Sequence, residues 1–360
     1  MIGLFVVPGG SWNITPLAVC LIALAWGMSR DGHADETNPI RVGIIGLDTS
    51  HAPAFAKLLN ATDDPQHVEG ARVVAAYPKG SDDIASSVSR VPGYIDAVKA
   101  LDVEIVDSIE SLITKVDCVL IESNDGRVHL RQAAPVLAAG KPIFIDKPMG
   151  GTLAEVIAIF RLAREHTTPV FSSSALRFSS NTQAVRSGSI GEVVGCDTYS
   201  PCSLEPTHPD LFWYGIHGCE ALYTVMGIGC RSVTRAGSAD GDLVTGSWDG
   251  GRVGTFRGIR KGKSGFGGTA YGTEAILPVG GFDGYRPLVV EIVKFFATRK
   301  PPVDEHETIE LFAFMEAADE SRRRGGAAVS LDGILEAAER SAAEKLADLG
   351  RRSTSSEGRD

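Results

Sequence analysis

Three short stretches carry residue types able to do chemistry on a small molecule. The first is "GKPIFIDKP" (140–148), an apolar run that ends in Asp146, Lys147 and Pro148. A lysine beside a substrate hydroxyl can act as general base or electrostatic stabiliser when its surroundings lower its pKa. A plain surface lysine in a turn would read the same way. The second stretch is "EPTHPDLFWYGIHGCEALYTVMG" (205–227), where His208, Asp210, His217 and Glu220 fall close together amid Phe212, Trp213 and Tyr214. It reads as a substrate pocket with aromatic walls and a histidine that relays a hydroxyl proton. The candidate pocket residues are Asp210, Trp213, Tyr214 and His217. An aromatic core seam with one satisfied histidine is the alternative. The spacing matches no familiar zinc pattern, so no metal site is expected.

The third stretch is "RVGIIGLDTSHAPAF" (41–55). A strand that ends facing a helix N-terminus offers backbone N–H groups and a positive dipole end to a diphosphate. Gly43 and Gly46 are present, but Asp48 and His51 stand where such a turn wants glycines. Pro53 suits a first helical turn, and Thr49 or Ser50 could cap it. The dipole half of the mechanism is therefore intact, while Asp48 brings negative charge near a phosphate. Thr49, Ser50 and His51 are expected to meet a cofactor with side chains where a glycine turn would use bare backbone. After the second strand, "AYPKGSDD" (76–83) has no acid at the strand tip. Lys79 and Ser81 could hold a 2′-phosphate there, which leans toward NADP over NAD. An ordinary polar loop explains them equally well.

These stretches need a scaffold that brings strand ends together. Between residues 39 and 176 apolar runs, at 41–47, 71–77, 117–123, 142–148 and 169–175, read as buried strands. Helical patterns separate them; in "TLAEVIAIFRLAREH" (152–166) Leu153, Val156, Ile157 and Phe160 share a face. Alternation of this kind predicts a doubly wound parallel sheet of the Rossmann type. After residue 178, the runs at 191–201, 244–250 and 252–260 lack intervening helices and predict a mainly antiparallel open sheet in an α+β domain. Helices are expected at 287–299, 305–324 and 332–348, followed by a disordered polar tail at 349–360. The expected division is a leader at 1–38, a dinucleotide-binding domain at 39–176, a substrate and oligomerisation domain at 177–331, and an extra helix with its tail at 332–360.

Bulk properties exclude several classes. A chain of 360 residues with net charge −10 has room for two cores and lacks the basic stripe of a nucleic-acid binder. Its six cysteines form no C-x-x-C pair, which argues against zinc fingers and redox dithiols. "PLAVCLIALAWGM" (16–28) has the length of a signal-peptide apolar core and is short for a membrane span. It leaves two locations open, cytoplasmic or exported, since the segment before it has no Lys or Arg and there is no twin arginine.

Taken in order, the motifs resemble the Gfo/Idh/MocA family, relatives of glucose–fructose oxidoreductase and inositol dehydrogenase. The resemblance spans about 40–330. "GKPIFIDKP" is similar to the family's strand ending in Glu-Lys-Pro, and "SNDGRVHL" (123–130) to its Thr-Pro-Asn segment. "LRFSS" (176–180) resembles its Arg-Phe step, and "GIHGCEAL" (215–222) its Gly-x-His segment. The resemblance implies an NAD(P) cofactor and hydride transfer at a carbinol of a sugar, polyol or related molecule. It carries Lys147 and His217 over as the catalytic pair. It places Gly46, Asp48, Thr49, Ser50, His51, Lys79, Ser123, Asn124, Asp146, Lys147, Pro148 and Arg177 around the cofactor. It implies a homo-oligomer, dimer or tetramer, built through the outer face of the second sheet. Three departures stand out: the turn lacks its second and third glycines, Trp213 sits where family dehydrogenases often carry an Asp, and Asn124-Asp125-Gly126 replaces Thr-Pro-Asn. Two other functions fit the same residues: glycoside cleavage through a transient oxidation with no net redox change, and non-catalytic binding of a nucleotide or sugar.

Overall fold

Six short apolar strands build a parallel sheet: β1 (Ile40–Ile45), β2 (Ala71–Tyr77), β3 (Glu104–Ile105), β4 (Cys118–Ile121), β5 (Ile143–Ile145) and β6 (Val170–Ser172). Their spatial order is β3-β2-β1-β4-β5-β6, and every pairing is parallel. This is the doubly wound order, with its switch point between β1 and β4. Crossovers run through α1 (His51–Asn60), α2 (Ala85–Lys99), α3 (Ile109–Ile113), α4 (Gly126–Ala138) and α5 (Leu153–Glu165). The central stretches of the strands are apolar because both sheet faces are covered there. Val42, Ile44, Leu120 and Phe144 pack on one face with Phe55 of α1. Ile45, Val119, Ile121 and Ile145 pack on the other with Leu130 and Val136 of α4 and Val156 and Ile157 of α5. Asp125 caps α4 by accepting from Arg127 N–H, and Thr152 caps α5 by accepting from Glu155 N–H.

The computed structural model describes Gly3 and residues 38–356, with side chains through residue 351. The apolar stretch 16–28, with its signal-like reading, lies outside the described residues. Among the described residues no helix is long and apolar enough to cross a membrane.

A 3-10 turn at Ala175–Phe178 and α6 (Ser180–Arg186) lead into the second sheet. Its strands are β7 (Val193–Pro201), β8 (Cys230–Ser238), β9 (Gly241–Trp248), β10 (Val253–Ile259), β11 (Gly267–Gly272), β12 (Ile276–Val279) and β13 (Val329–Ser330). They lie in the order β12-β11-β7-β10-β9-β8-β13, antiparallel except for the β7–β10 pair. Helices α7 (Ile216–Met226) and α9 (Glu305–Arg323) cover one face, where Val244, Trp248 and Phe256 meet Leu222, Tyr223 and Phe314. The opposite face leaves Tyr199, Val253, Tyr271 and Ile276 exposed.

Two later helices return to the first sheet. Leu288, Ile292 and Phe295 of α8 (Arg286–Thr298) join Phe55, Phe144 and Phe171 in one cluster. The last helix, α10, packs on α5 and runs Leu331–Ser356. The helix expected to stop at 348 therefore continues, and the tail expected to be disordered from 349 is helical through Ser356. Ala338, Ala342, Leu346 and Leu349 recur at intervals of three and four residues and lie against the core, which carries the helix past 348.

Candidate active site

The carboxyl ends of β1, β4 and β5 meet the N-terminus of α1 at the switch point, where ligands bind in open α/β sheets. Gly46 closes β1 at φ +88°, and a Cβ there would lie 2.4–2.6 Å from Ser123. Only glycine fits, because the backbone after β4 presses directly on the turn. Ser50 is the N-cap of α1 but makes no side-chain cap bond, and Thr49 Oγ1 accepts from His51 N–H at 3.2 Å.

Asp48 is fully buried and faces protein. Its Oδ1 accepts from Asn124 N–H at 3.0 Å and its Oδ2 from the Ser87 hydroxyl at 2.7 Å. Burial raises its pKa, against the lowering effect of those two bonds. The carboxylate thus staples the turn to β4 and α2 and is absent from the wall of the adjoining cavity. The glycine-poor turn has exchanged one backbone approach for a side-chain latch.

That cavity encloses about 620 Å³. Thr49, Ser50, His51, Asn124 and Lys147 line it from the first sheet, with Arg90 from α2. Trp213, Tyr214, His217 and Phe266 line it from the second domain. Two catalytic candidates seventy residues apart in sequence are therefore brought to one wall. The Lys147 ammonium lies 5.9 Å from the Tyr214 ring centre. His217 packs edge-on to Tyr214 and Phe266, and its Nδ1 is 2.7 Å from Ser174 Oγ. Burial first, then the charges of Lys147 and His51, press its pKa well below the ordinary histidine value. The ring is therefore neutral at physiological pH, and in the tautomer whose Nδ1–H donates to Ser174 its Nε2 accepts a proton.

Glu220, one helical turn beyond His217, acts through a relay. Its carboxylate accepts from the Ser173 hydroxyl and from Ser174 N–H, each at 2.7 Å, which fixes the serine that contacts His217. Arg177 completes this support. It is 3% exposed, with Nε 2.7 Å from Glu220 and Nη1 2.5 Å from Glu307. Arg177 was expected beside the cofactor or substrate; it instead locks the 3-10 turn to α7 and α9, because two buried carboxylates claim its guanidinium. Asp210 was expected in the pocket and also lies elsewhere, 2.9 Å from Arg235 Nη2 and paired with Arg322. Ser123 turns into α4 and exchanges hydrogen bonds with Gln132. Pro148 is buried behind Lys147, after a cis peptide bond.

Lys79 and Ser81 line a separate cavity of about 830 Å³ at the end of β2, with Tyr77, Asp125, Arg127 and Lys345. Lys79 pairs with Asp82 at 3.2 Å, and Ser81 donates to Asp125 at 2.5 Å. Asn124 lines the first cavity and the next residue, Asp125, lines the second. Both polar atoms of the Asn124 side chain are buried without a protein partner. Sequence reasoning missed Ser174, Arg90, Tyr285 and Glu122. The last carried a signal: an acid at the end of the apolar strand "CVLIE", level with Asp146 on the neighbouring strand.

Comparison with known proteins agrees with this architecture. Residues 40–173 match the GFO_IDH_MocA family model, described as an oxidoreductase family with an NAD-binding Rossmann fold. No curated protein sequence matches the chain. Among solved structures, scyllo-inositol dehydrogenase from Lactobacillus casei, with bound NAD(H) and scyllo-inositol, superimposes at TM-score 0.66 and 16% identity. That match covers 82% of this chain and all of the other. Myo-inositol 2-dehydrogenase from Lactobacillus plantarum gives TM-score 0.65 at 16% identity, over 81% of this chain and 99% of its own. GenD2 of gentamicin A biosynthesis, in complex with NAD, gives 0.65 at 15% identity, over 82% and 97%. At such identities the likeness is one of fold.

Proposed function

We propose an NAD(P)-dependent oxidoreductase, starting from the match of residues 40–173 to the Gfo/Idh/MocA oxidoreductase family model with its NAD-binding Rossmann fold. It transfers hydride to or from a carbinol of a sugar, polyol or related small molecule. The observation that carries this reading is the convergence of Lys147 and His217 on one cavity at the strand ends, beside the α1 N-terminus. The inositol dehydrogenases that share the fold support a polyhydroxylated substrate.

The residues present fit a dinucleotide. Asn124 offers an unpartnered amide inside the cavity. Thr49, Ser50, Arg90 and the α1 N-terminus supply hydroxyls and positive potential for phosphate oxygens. Asp48 does not oppose them, since its carboxylate is spent on Asn124 and Ser87. Lys79 and Ser81 stand at the β2 end for the ribose. When bound, the nicotinamide supplies the hydride acceptor or donor. The protein's own groups handle the proton. His217 Nε2 takes it from the substrate hydroxyl, and the Lys147 ammonium steadies the oxygen as negative charge develops. Trp213, Tyr214 and Phe266 give an apolar wall that limits water at the reacting carbon. Subunits associate through the open face of the second sheet, where Tyr199, Val253, Tyr271 and Ile276 leave apolar surface uncovered.

The experiment is oxidation of a panel of sugars and polyols with NAD⁺ or NADP⁺, by wild type and Lys147→Ala. The reading expects reduced cofactor to accumulate with at least one polyol. It expects Lys147→Ala to lower kcat by about 10²–10⁴-fold, the scale of a lost acid–base group. A Lys147→Ala variant with wild-type rates would remove Lys147 from the chemistry.

A further inference from the structure

The glycine-poor turn places an imidazole among carboxylates. His51 begins α1, Glu122 follows β4, and Asp146 follows β5. One ligand atom from each lies within 4.8 Å of the other two. All three are buried, Glu122 and Asp146 completely. His51 Nδ1 is 2.8 Å from Asp146 Oδ2. Both oxygens of Glu122, and Oδ1 of Asp146, have no hydrogen-bond partner.

Buried carboxylate oxygens are normally paired, so three orphans side by side need an occupant. Lys147 is the adjacent cation, yet its ammonium makes no ion pair with either carboxylate among the described residues and lies toward Tyr214. A proton shared between Glu122 and Asp146 would satisfy at most two of the three orphan oxygens and leave one Glu122 oxygen without a partner. A dication meets all of them at once. Tetrahedral ligands of an ion bound at about 2.1 Å sit about 3.4 Å apart, between the 2.8 Å His51–Asp146 separation and the 4.8 Å within which the three ligand atoms lie. His51 also lines the 620 Å³ cavity, which gives an ion its entry path. One imidazole and two carboxylates without a thiolate suit a first-row dication.

We propose that His51, Glu122 and Asp146 form a divalent-cation site, taking Zn²⁺ or Mn²⁺, at the carboxyl edge of the first sheet. The site accounts for the histidine at a turn position that wants glycine. It also ties the α1 N-terminus to the ends of β4 and β5. This inference does not depend on the cofactor reading.

The test uses the full chain, stripped with EDTA and dialysed separately against Zn²⁺, Mn²⁺ and, as control, Mg²⁺. Metal per protein is measured by mass spectrometry, and thermal midpoints with and without each ion. The proposal expects about one equivalent of Zn²⁺ or Mn²⁺ in wild type with a raised midpoint, and loss of both effects in Glu122→Gln and His51→Gln. Circular dichroism checks that each variant folds; His51→Gln serves if Glu122→Gln does not. Wild type that holds no more metal than the variants would overturn the site. So would a Glu122→Gln protein that is more stable than wild type and indifferent to metal, which would assign the orphan oxygens to a proton. NADH binding by the same stripped protein reports on the cofactor separately.

Discussion

Arg177→Ala separates a structural arginine from one that touches ligand. In wild type the guanidinium is enclosed by two carboxylates, Glu220 at 2.7 Å and Glu307 at 2.5 Å. Truncation leaves both acids buried. Glu220 keeps the Ser173 hydroxyl and Ser174 N–H, and Glu307 keeps Arg186 at 2.9 Å. Neither acid is then fully satisfied, and breaking a buried pair from one side costs about 3–5 kcal/mol. With an unfolding entropy of about 2.1 cal/mol/K per residue, each kcal/mol moves the midpoint of a chain this long by about 1.3 °C, so the midpoint falls by roughly 4–7 °C. The pH dependence has a definite sign. Burial alone would raise the Glu307 pKa, but Arg177 and Arg186 hold it below the ordinary 4.5. Its pairing therefore stabilises the fold above 4.5, and that contribution is lost as pH falls through the depressed folded value. The gap between wild type and variant should narrow in acid below 4.5. The assay is thermal unfolding by circular dichroism at neutral and acid pH, beside KM for cofactor and substrate. A midpoint change under about 2 °C together with a strongly raised KM would refute the reasoning and return Arg177 to the pocket.

Three further outcomes follow from the same geometry. Gly46→Ala sets a Cβ 2.5 Å from Ser123 N at φ +88°, so we expect a loss of more than about 1 kcal/mol in urea unfolding; an unchanged urea midpoint would show that the turn tolerates side chains. Because burial, Lys147 and His51 lower the pKa of His217, the acid limb of kcat/KM should fall below 6.5, the ordinary histidine value. An inflection at or above that value would contradict a buried neutral base. Ile276→Glu, at a side chain 64% exposed on the open sheet face, should reduce the mass measured by light scattering to that of a monomer; an unchanged multimer would move the interface elsewhere.

The sheet was legible because parallel strands buried on both faces read as continuous apolar runs, as at 42–47 and 142–145. Lys147 and His217, which the fold brings to one cavity, drew notice because each sits in a distinctive local string. Helix α2 was not: Pro92 and Gly93 fall inside it, and only Ser87 and Val98 are buried, so no amphipathic stripe announces it. Arg177 and Asp210 were misplaced because their partners are distant in sequence. Glu307 is 130 residues from Arg177, and Arg322 is 112 from Asp210. No local pattern reports such pairings. Asp48 was rightly seen as foreign to a glycine turn, but its direction depends on Ser87 and Asn124, which only the folded chain brings to it.

The central claim is that the cavity between Lys147 and His217 is a nicotinamide site. Titration of the ligand-free full chain with NADH and with NADPH, followed by cofactor and tryptophan fluorescence, tests it most directly, since Trp213 lines that cavity. The account expects saturable binding of one or both, with quenching that is lost in Trp213→Phe. Absence of saturable binding by either cofactor at millimolar concentration would contradict it.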